Sequence, residues 1–357
     1  MAIDVIIGAA ATTVSLVELV LKAKGGLIAP KKDPFLNYDT RYLLGVYAEE
    51  TPINHFIPYS ELLSLYPENK GVELKLNSRG FELQQRNQEW ARVADLGFSE
   101  LFKSKRIYDN EGAIRLQKVS DKEGKKELTL QKASYFQQCK SNLILDWTSG
   151  ESDGISLRSL QRGLYGGCLP KLEDKSMANT IGIAALIYYK EGDEYIPYMV
   201  KRVKKVGVFP GGVHCTSSGV AKWPSNDEDT SFDNFFTEHM YAELFEEVGL
   251  SKTDIAELVP MAICREFARG GKPQIFYAGF TELSKAELTE KRVKAQATIK
   301  ELKLWPEVEQ QKWYHSEIVL NTQELMGSIK KYKITLEGVA SLYYGIKYLQ
   351  EHRVTNE

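Results

Sequence analysis

The chain has little of what common metal and redox sites are built from. Its four cysteines, Cys139, Cys168, Cys215 and Cys264, lie far apart and form no C-x-x-C pair. That excludes a thiol-exchange motif and a cysteine zinc cage, and it fits a reduced cytoplasmic setting. The five histidines are scattered, with neither H-x-x-x-H nor H-E-x-x-H, so a histidine-based transition-metal site has no support. An excess of one charge is missing too. Against 46 Lys and Arg stand 48 Asp and Glu, a net charge of -2, so no global field recruits bulk nucleic acid or an anionic surface. Anion recognition has to be local. Internal repeats and low-complexity tracts are absent, and no apolar run reaches the ~20 residues of a spanning helix. The longest candidate, Val5 to Leu21, contains Glu18 and two threonines. It follows no basic segment and has Asp4 at its start, which argues against a secretory signal.

What that first segment does have is periodicity. Ile3, Ile7, Ala10, Val14, Val17 and Leu21 recur at alternating four- and three-residue steps, which predicts an amphipathic helix over residues 1–24. Two uses fit the stripe. One is packing on its own domain or on a second copy in a homo-oligomer; the other is contact with a membrane surface. Gly25-Gly26 and Pro30 to Pro34 then read as a linker.

Residues 38–174 read as an α+β region. VELKL alternates as a strand, AIRLQKV and KELTLQ flank the polar turn SDKEG as a hairpin, and QQRNQEWARVADLGFSELF has helical spacing. No motif in this region points to a reaction. After the small-polar stretch TSGESDGIS and the break LYGGCLP, a second unit spans 176–330. TIGIAALIYY is an almost continuous apolar strand, YIPYMVKR returns as its partner, and VPMAICREF and PQIFYAGF form another pair around ARGGK. SKAE at Ser284 is a capping box for a charged helix, and Thr335 is the N-cap of a C-terminal helix within 335–357.

Between the strand pairs lies TSFDNFFTEHMYAELFEEVGL, a helix with a cap-like T-x-x-D at Thr230 and a left-handed stop at Gly249. At ~100° per residue, Phe236, Met240, Leu244 and Val248 form the core side, while Glu243, Glu246 and Glu247 project together beside His239. Like charges at these spacings repel by a few tenths of a kcal/mol per pair. A divalent cation relieves that repulsion, and an oxygen-only ligand set suits Mg²⁺ or Mn²⁺. The bland alternative is a solvated acidic helix end.

The segment AELFEEVGL, Ala242 to Leu250, in this strand order resembles the second half of the Nudix hydrolase signature: G, five residues, E, seven residues, then R-E-U-x-E-E-x-G-U with U aliphatic. The resemblance runs from about Ser176 to Leu325 and leaves the N-terminal half uncovered. It implies a mixed sheet sandwiched by helices, preceded here by the α+β region and the amphipathic helix. It also implies metal-dependent attack of water on the diphosphate of a nucleoside-diphosphate derivative, with Glu243, Glu246 and Glu247 as catalytic metal ligands. Two letters depart from it. Ala242 stands where the signature has the arginine whose salt bridge orients the carboxylates, and Asn234 falls where its first glutamate belongs. The loop from Gly211 to Ala242 is long, and Glu228 or Glu238 offers a replacement carboxylate.

For the substrate, Arg202 ends a strand expected to line the cleft, the bare backbone of Gly211 and Gly212 permits close approach, and Arg265 lies beside the ARGGK turn. The chain therefore reads as a hydrolase acting on a nucleotide-derived small molecule. The alternative is a nucleotide sensor of weakened catalysis that controls the N-terminal helix.

Overall fold

Where apolar residues alternate or run together, strands form, and in the computed structural model of the chain each run named above except YIPYMVKR lies in a single strand. The structure describes residues 33–54, 57–66, 71–107, 109–122, 125–150, 154–192, 194–203, 209, 211–301, 308–309 and 333–356. The expected helix at 1–24 and residues 25–32 of its linker lie outside them.

The 38–174 region contributes α1 (Thr40–Val46), β1 (Tyr59–Ser64), β2 (Val72–Asn77), α2 (Gln88–Lys103), β3 (Gly112–Lys122), β4 (Lys125–Ser134), α3 (Tyr135–Cys139) and α4 (Leu157–Tyr165). Asn87, Ser134 and Ser156 cap the last three helices with their side chains, each accepting from a backbone N–H in the first turn. β2, β4 and β3 make a three-stranded sheet in that order, with β2 and β4 parallel. β1 leaves this group and pairs antiparallel with β10 (Glu257–Glu266).

β10 lies at the second position of a six-stranded mixed sheet. Its order is β1, β10, β11 (Lys272–Phe280), β5 (Gly182–Glu191), β6 (Glu194–Pro197), with β9 (Ser217–Val220) also on β5. β11 and β5 run parallel and are buried over most of their length, which is why TIGIAALIYY reads as continuous rather than alternating. YIPYMVKR is not one strand. It breaks after Pro197, and β7 (Val200–Arg202) joins a second sheet between β12 (Val308–Glu309) and β8 (Val213–His214).

Helices cover both faces. On one, Ile183, Ala185, Ile187, Ile275 and Tyr277 share a core with Phe236, Met240, Leu244 and Val248 of the carboxylate helix. On the other, Ala184, Leu186, Tyr188, Phe276 and Ala278 share a core with Val339, Ala340, Leu342 and Tyr344 of the C-terminal helix α7 (Leu336–Asn356). Phe276 and Tyr344 stack there with ring centroids 5.4 Å apart.

The carboxylate helix opens differently from its T-x-x-D reading. A π turn, Asp233–Thr237, runs into α5 (Glu238–Val248), and Ser231, rather than Thr230, accepts the N–H of Asn234 at 3.2 Å. The wider turn lets adjacent Phe235 and Phe236 both be buried. Its end is as expected, with Gly249 at φ 75°. A Cβ at Gly249 would press on the carbonyl of Lys291 in α6 (Lys285–Glu301), so only glycine lets the two helices meet. Ser284 and Glu287 cap α6 reciprocally, and Thr335 Oγ1 accepts the N–H of Gly338 at the start of α7. Among the described residues, no helix is long and apolar enough to cross a membrane.

Candidate functional site

The site lies where α5 crosses the edge strand β9. β9 is short and made of small residues, and it pairs Ile183 with Gly219 and Ala184 with Ser218. Successive residues of a strand face opposite ways, so Gly219 faces α5 and the side chain of Ser218 faces the α7 side. Glu243 fills the space above Gly219. A Cβ at 219 would collide with its carboxylate, so any other residue there would push Glu243 aside.

Four residues on, Glu247 is buried, and its Oε2 accepts the backbone N–H of Ser218 at 3.1 Å. Glu246 is exposed. His239, one turn before Glu243, places Nε2 3.5 Å from Glu243 Oε1, while its Nδ1 accepts the N–H of Lys222 at 2.8 Å. Burial, with the charge of Lys222 beside it, lowers the His239 pKa to about 4. At neutral pH it is an uncharged ring presenting an N–H to the carboxylate.

The side chain of Ser218 opens a second layer. Arg202 Nη1 donates to its Oγ at 3.3 Å, and His214 Nε2 lies 2.9 Å from the same oxygen. His214 Nδ1 is 2.6 Å from Thr335 Oγ1, and Glu337 Oε1 stands 3.8 Å from Nε2. Glu337 in turn accepts from Arg269 Nη2 at 3.0 Å, and Arg269 Nε pairs with Glu266. Lys272 is buried in the same group, with long contacts to Pro273 O and Gln274 Oε1.

Removal from water is what shifts these groups. Burial, assisted by Arg202 and Arg269 and opposed by Glu337, lowers the His214 pKa to about 3, so its ring is neutral. Burial pushes Glu266 up and Lys272 down, each toward its uncharged form. For Glu337 burial is outweighed by its neighbours His214, Arg269, Lys272 and Arg202, and its carboxyl lies below the usual range.

Arg202 and Glu247 thus meet at one residue, Ser218, with Glu243 above the next. Gly211 donates its N–H to Val203 O, and the groups nearest Gly212 are Thr335, Lys333 and Phe209 rather than a glutamate. Gly212 O accepts the N–H of Arg202 at 2.9 Å, closing the turn that sets Arg202, and a Cβ at Gly212 would come within 2.8 Å of Thr335 Cγ2. Arg265 is engaged elsewhere. Its guanidinium donates to Gly271 O and Pro170 O, and the acidic groups acting on it are Glu50 and Glu173. Of the carboxylates offered as replacements, Glu238 pairs with Lys252, and the N–H of Glu228 is held by Asn226.

Among the described residues, the one convergence of three metal-type ligands is His214, Cys215 and Glu337, whose donor atoms lie within 4.8 Å of one another. Both ring nitrogens of His214 are engaged and Glu337 is paired with Arg269, so this trio is already committed to the protein's own network. Burial raises the Cys215 thiol as well. The α5 glutamates are spread instead, one over Gly219, one in solvent and one on Ser218. Mg²⁺ keeps several waters and takes one or two carboxylates, so an open oxygen set of this kind fits it.

Sequence reading did not single out Ser218, Gly219 or His214. The available signal was the run Thr216-Ser217-Ser218-Gly219, four small residues in the loop that precedes the carboxylate helix.

No family model matches the chain, and no curated protein matches it. Solved structures similar to it include a MutT/Nudix family protein from Listeria innocua, 17% identical, with 49% of this chain and 96% of that chain covered at a TM-score of 0.31. Another is DR0079 from Deinococcus radiodurans, 12% identical, with 29% of this chain covered at a TM-score of 0.22. The overlap spans 57% of the length of DR0079. At these scores neither overlap assigns an activity.

Proposed function

We propose that the chain is a Nudix-like hydrolase of a nucleoside-diphosphate derivative, with its reaction centre at the α5–β9 crossing. The observation that carries this reading is the arrangement of Glu243 over Gly219 and Glu247 on the N–H of Ser218, with Glu246 at the open rim. Glu243 and Glu246, one turn apart, would hold Mg²⁺ or Mn²⁺ together with water, and Glu247 completes the set. When bound, the cation would neutralise the diphosphate oxygens and make water acidic enough to attack phosphorus.

The chain's own part is to orient and to move a proton. Glu243, half-buried beside the N–H of neutral His239, would take the proton of the attacking water. The bond broken is a P–O bond of the diphosphate, giving a nucleoside monophosphate and a phosphorylated second group.

A second reading has one observation in its favour. Ala242 is exposed and offers the glutamates neither a donor nor a charge, so a site that binds the nucleotide without turnover also fits. In that case the output would pass to residues 1–24.

One experiment separates the two. The protein is incubated with Mg²⁺ or Mn²⁺ and a panel of ADP-ribose, NAD, dinucleoside polyphosphates and nucleoside triphosphates, alongside Glu243→Gln and Glu247→Gln. The hydrolase reading expects metal-dependent turnover that each substitution lowers by about 10²-fold or more. Saturable binding with no turnover supports the sensor, and turnover that survives both substitutions removes the site altogether.

A further inference from the structure

Glu247 is a carboxylate taken out of water, and such a group needs donors and a compensating charge. The preceding turn of its own helix supplies neither, since the residues four and three before it are Glu243 and Leu244. Ala242, a turn and a half back, is an exposed methyl group. The sheet supplies the donor. Ser218 gives its backbone N–H to Glu247 Oε2 at 3.1 Å and turns its hydroxyl to the far side of β9, where Arg202 Nη1 donates to it at 3.3 Å.

Arg202 is itself held at both ends. Its backbone N–H donates to Gly212 O at 2.9 Å, and it pairs with Val308 on β12. The guanidinium therefore arrives from a strand fixed on both sides. It is 9% exposed. A group so placed is poorly presented to a substrate and well presented to Ser218.

We propose that Arg202 is a positioning residue. Acting through Ser218, it sets the orientation in which Glu247 joins the other α5 carboxylates, a support that Ala242 withholds on the helix side. This rests on the hydrolase reading above, and it moves Arg202 from substrate contact to carboxylate alignment.

The test is a double-mutant cycle of Arg202→Met and Ser218→Ala, with Arg202→Lys as the conservative variant. Three quantities are followed: Mn²⁺ affinity by electron paramagnetic resonance, kcat and KM measured separately, and the titration of the ¹³C-labelled Glu247 carboxyl. Arg202→Met should weaken Mn²⁺ binding by about 10–100-fold and lower kcat with little change in KM. Ser218→Ala should do much of the same, the double variant should be no worse than the stronger single, and Arg202→Lys should recover part of the loss.

A raised KM with Mn²⁺ affinity unchanged, a silent Ser218→Ala, or effects that multiply would overturn the proposal. If Arg202→Met does not fold, Ser218→Ala and Arg202→Lys, which both keep a cation at 202, carry the test. Should the wild type bind no Mn²⁺, the hydrolase reading fails by itself and the Glu247 titration still decides. A shift to higher pH in the variants sustains the alignment role, and an unmoved curve ends it.

Discussion

The two faces of the six-stranded sheet are made by the same strands and hold their helices by opposite means. On the α5 face the contact is apolar, through Leu244, Val248, Ile183 and Ile275, and of the three glutamates Glu246 stands at the rim, Glu243 is half-buried and Glu247 is buried on the N–H of Ser218. On the α7 face an apolar core gives way, at one end of the sheet, to Glu266, Arg269, Lys272, Glu337 and His214, all buried. The difference separates two tasks. A helix held by apolar contacts can keep its carboxylates for a ligand. A helix held by internal charges has them committed, because each must offset another.

The largest effect that would test this contrast lies on the α7 face. Arg269→Met leaves Glu266 and Glu337 without their shared partner, and unfolding in urea should show a loss of about 3–5 kcal/mol at unchanged slope. A loss below 1 kcal/mol would mean that the network does not fix α7. On the α5 face, Leu244→Ala removes buried methyl groups without touching a charge. It should cost about 3 kcal/mol and leave Mn²⁺ affinity within a factor of two or so.

The third effect is smaller and appears only with pH. His214 titrates at about 3 in the folded chain and near 6.5 when unfolded, so the unfolded state binds more protons between those values. Stability is therefore full above the unfolded value and is lost as pH falls through this window. From this residue the loss between pH 7 and pH 5 is about 2 kcal/mol. His214→Gln, which keeps a side chain able to bond Ser218 and Thr335, should flatten that part of the urea-midpoint profile. An unaltered profile would show that His214 is protonated in the fold and that the network is charged differently from this account.

Strand runs and helix ends were legible in the sequence because they are local. VELKL, PQIFYAGF, the stop at Gly249 and the caps at Ser284 and Thr335 each depend on residues within a few positions. The carboxylate helix was legible for the same reason. What surrounds it was not. β8 and β9 are too short and too polar to show a period, and they fall within what reads as one long loop from Gly211 to Ala242. Gly211 and Gly212 drew attention as a pair, yet the glycine beneath Glu243 is Gly219, and that depends on which strand passes under the helix. His214 finds Thr335 across 121 positions, a contact that no spacing rule reaches. The break of YIPYMVKR into two strands was hidden likewise, because nothing in its letters says that its second half belongs to another sheet.

Thr335 shows how far that long reach extends. One hydroxyl both starts a helix, by taking the N–H of Gly338, and touches His214, the neighbour of the serine that carries Glu247. The first turn of α7 and the rim of the site are thereby parts of one cooperative unit. Local opening of either should expose the other, so whatever loosens or clamps the end of the chain acts on the glutamates without coming near them.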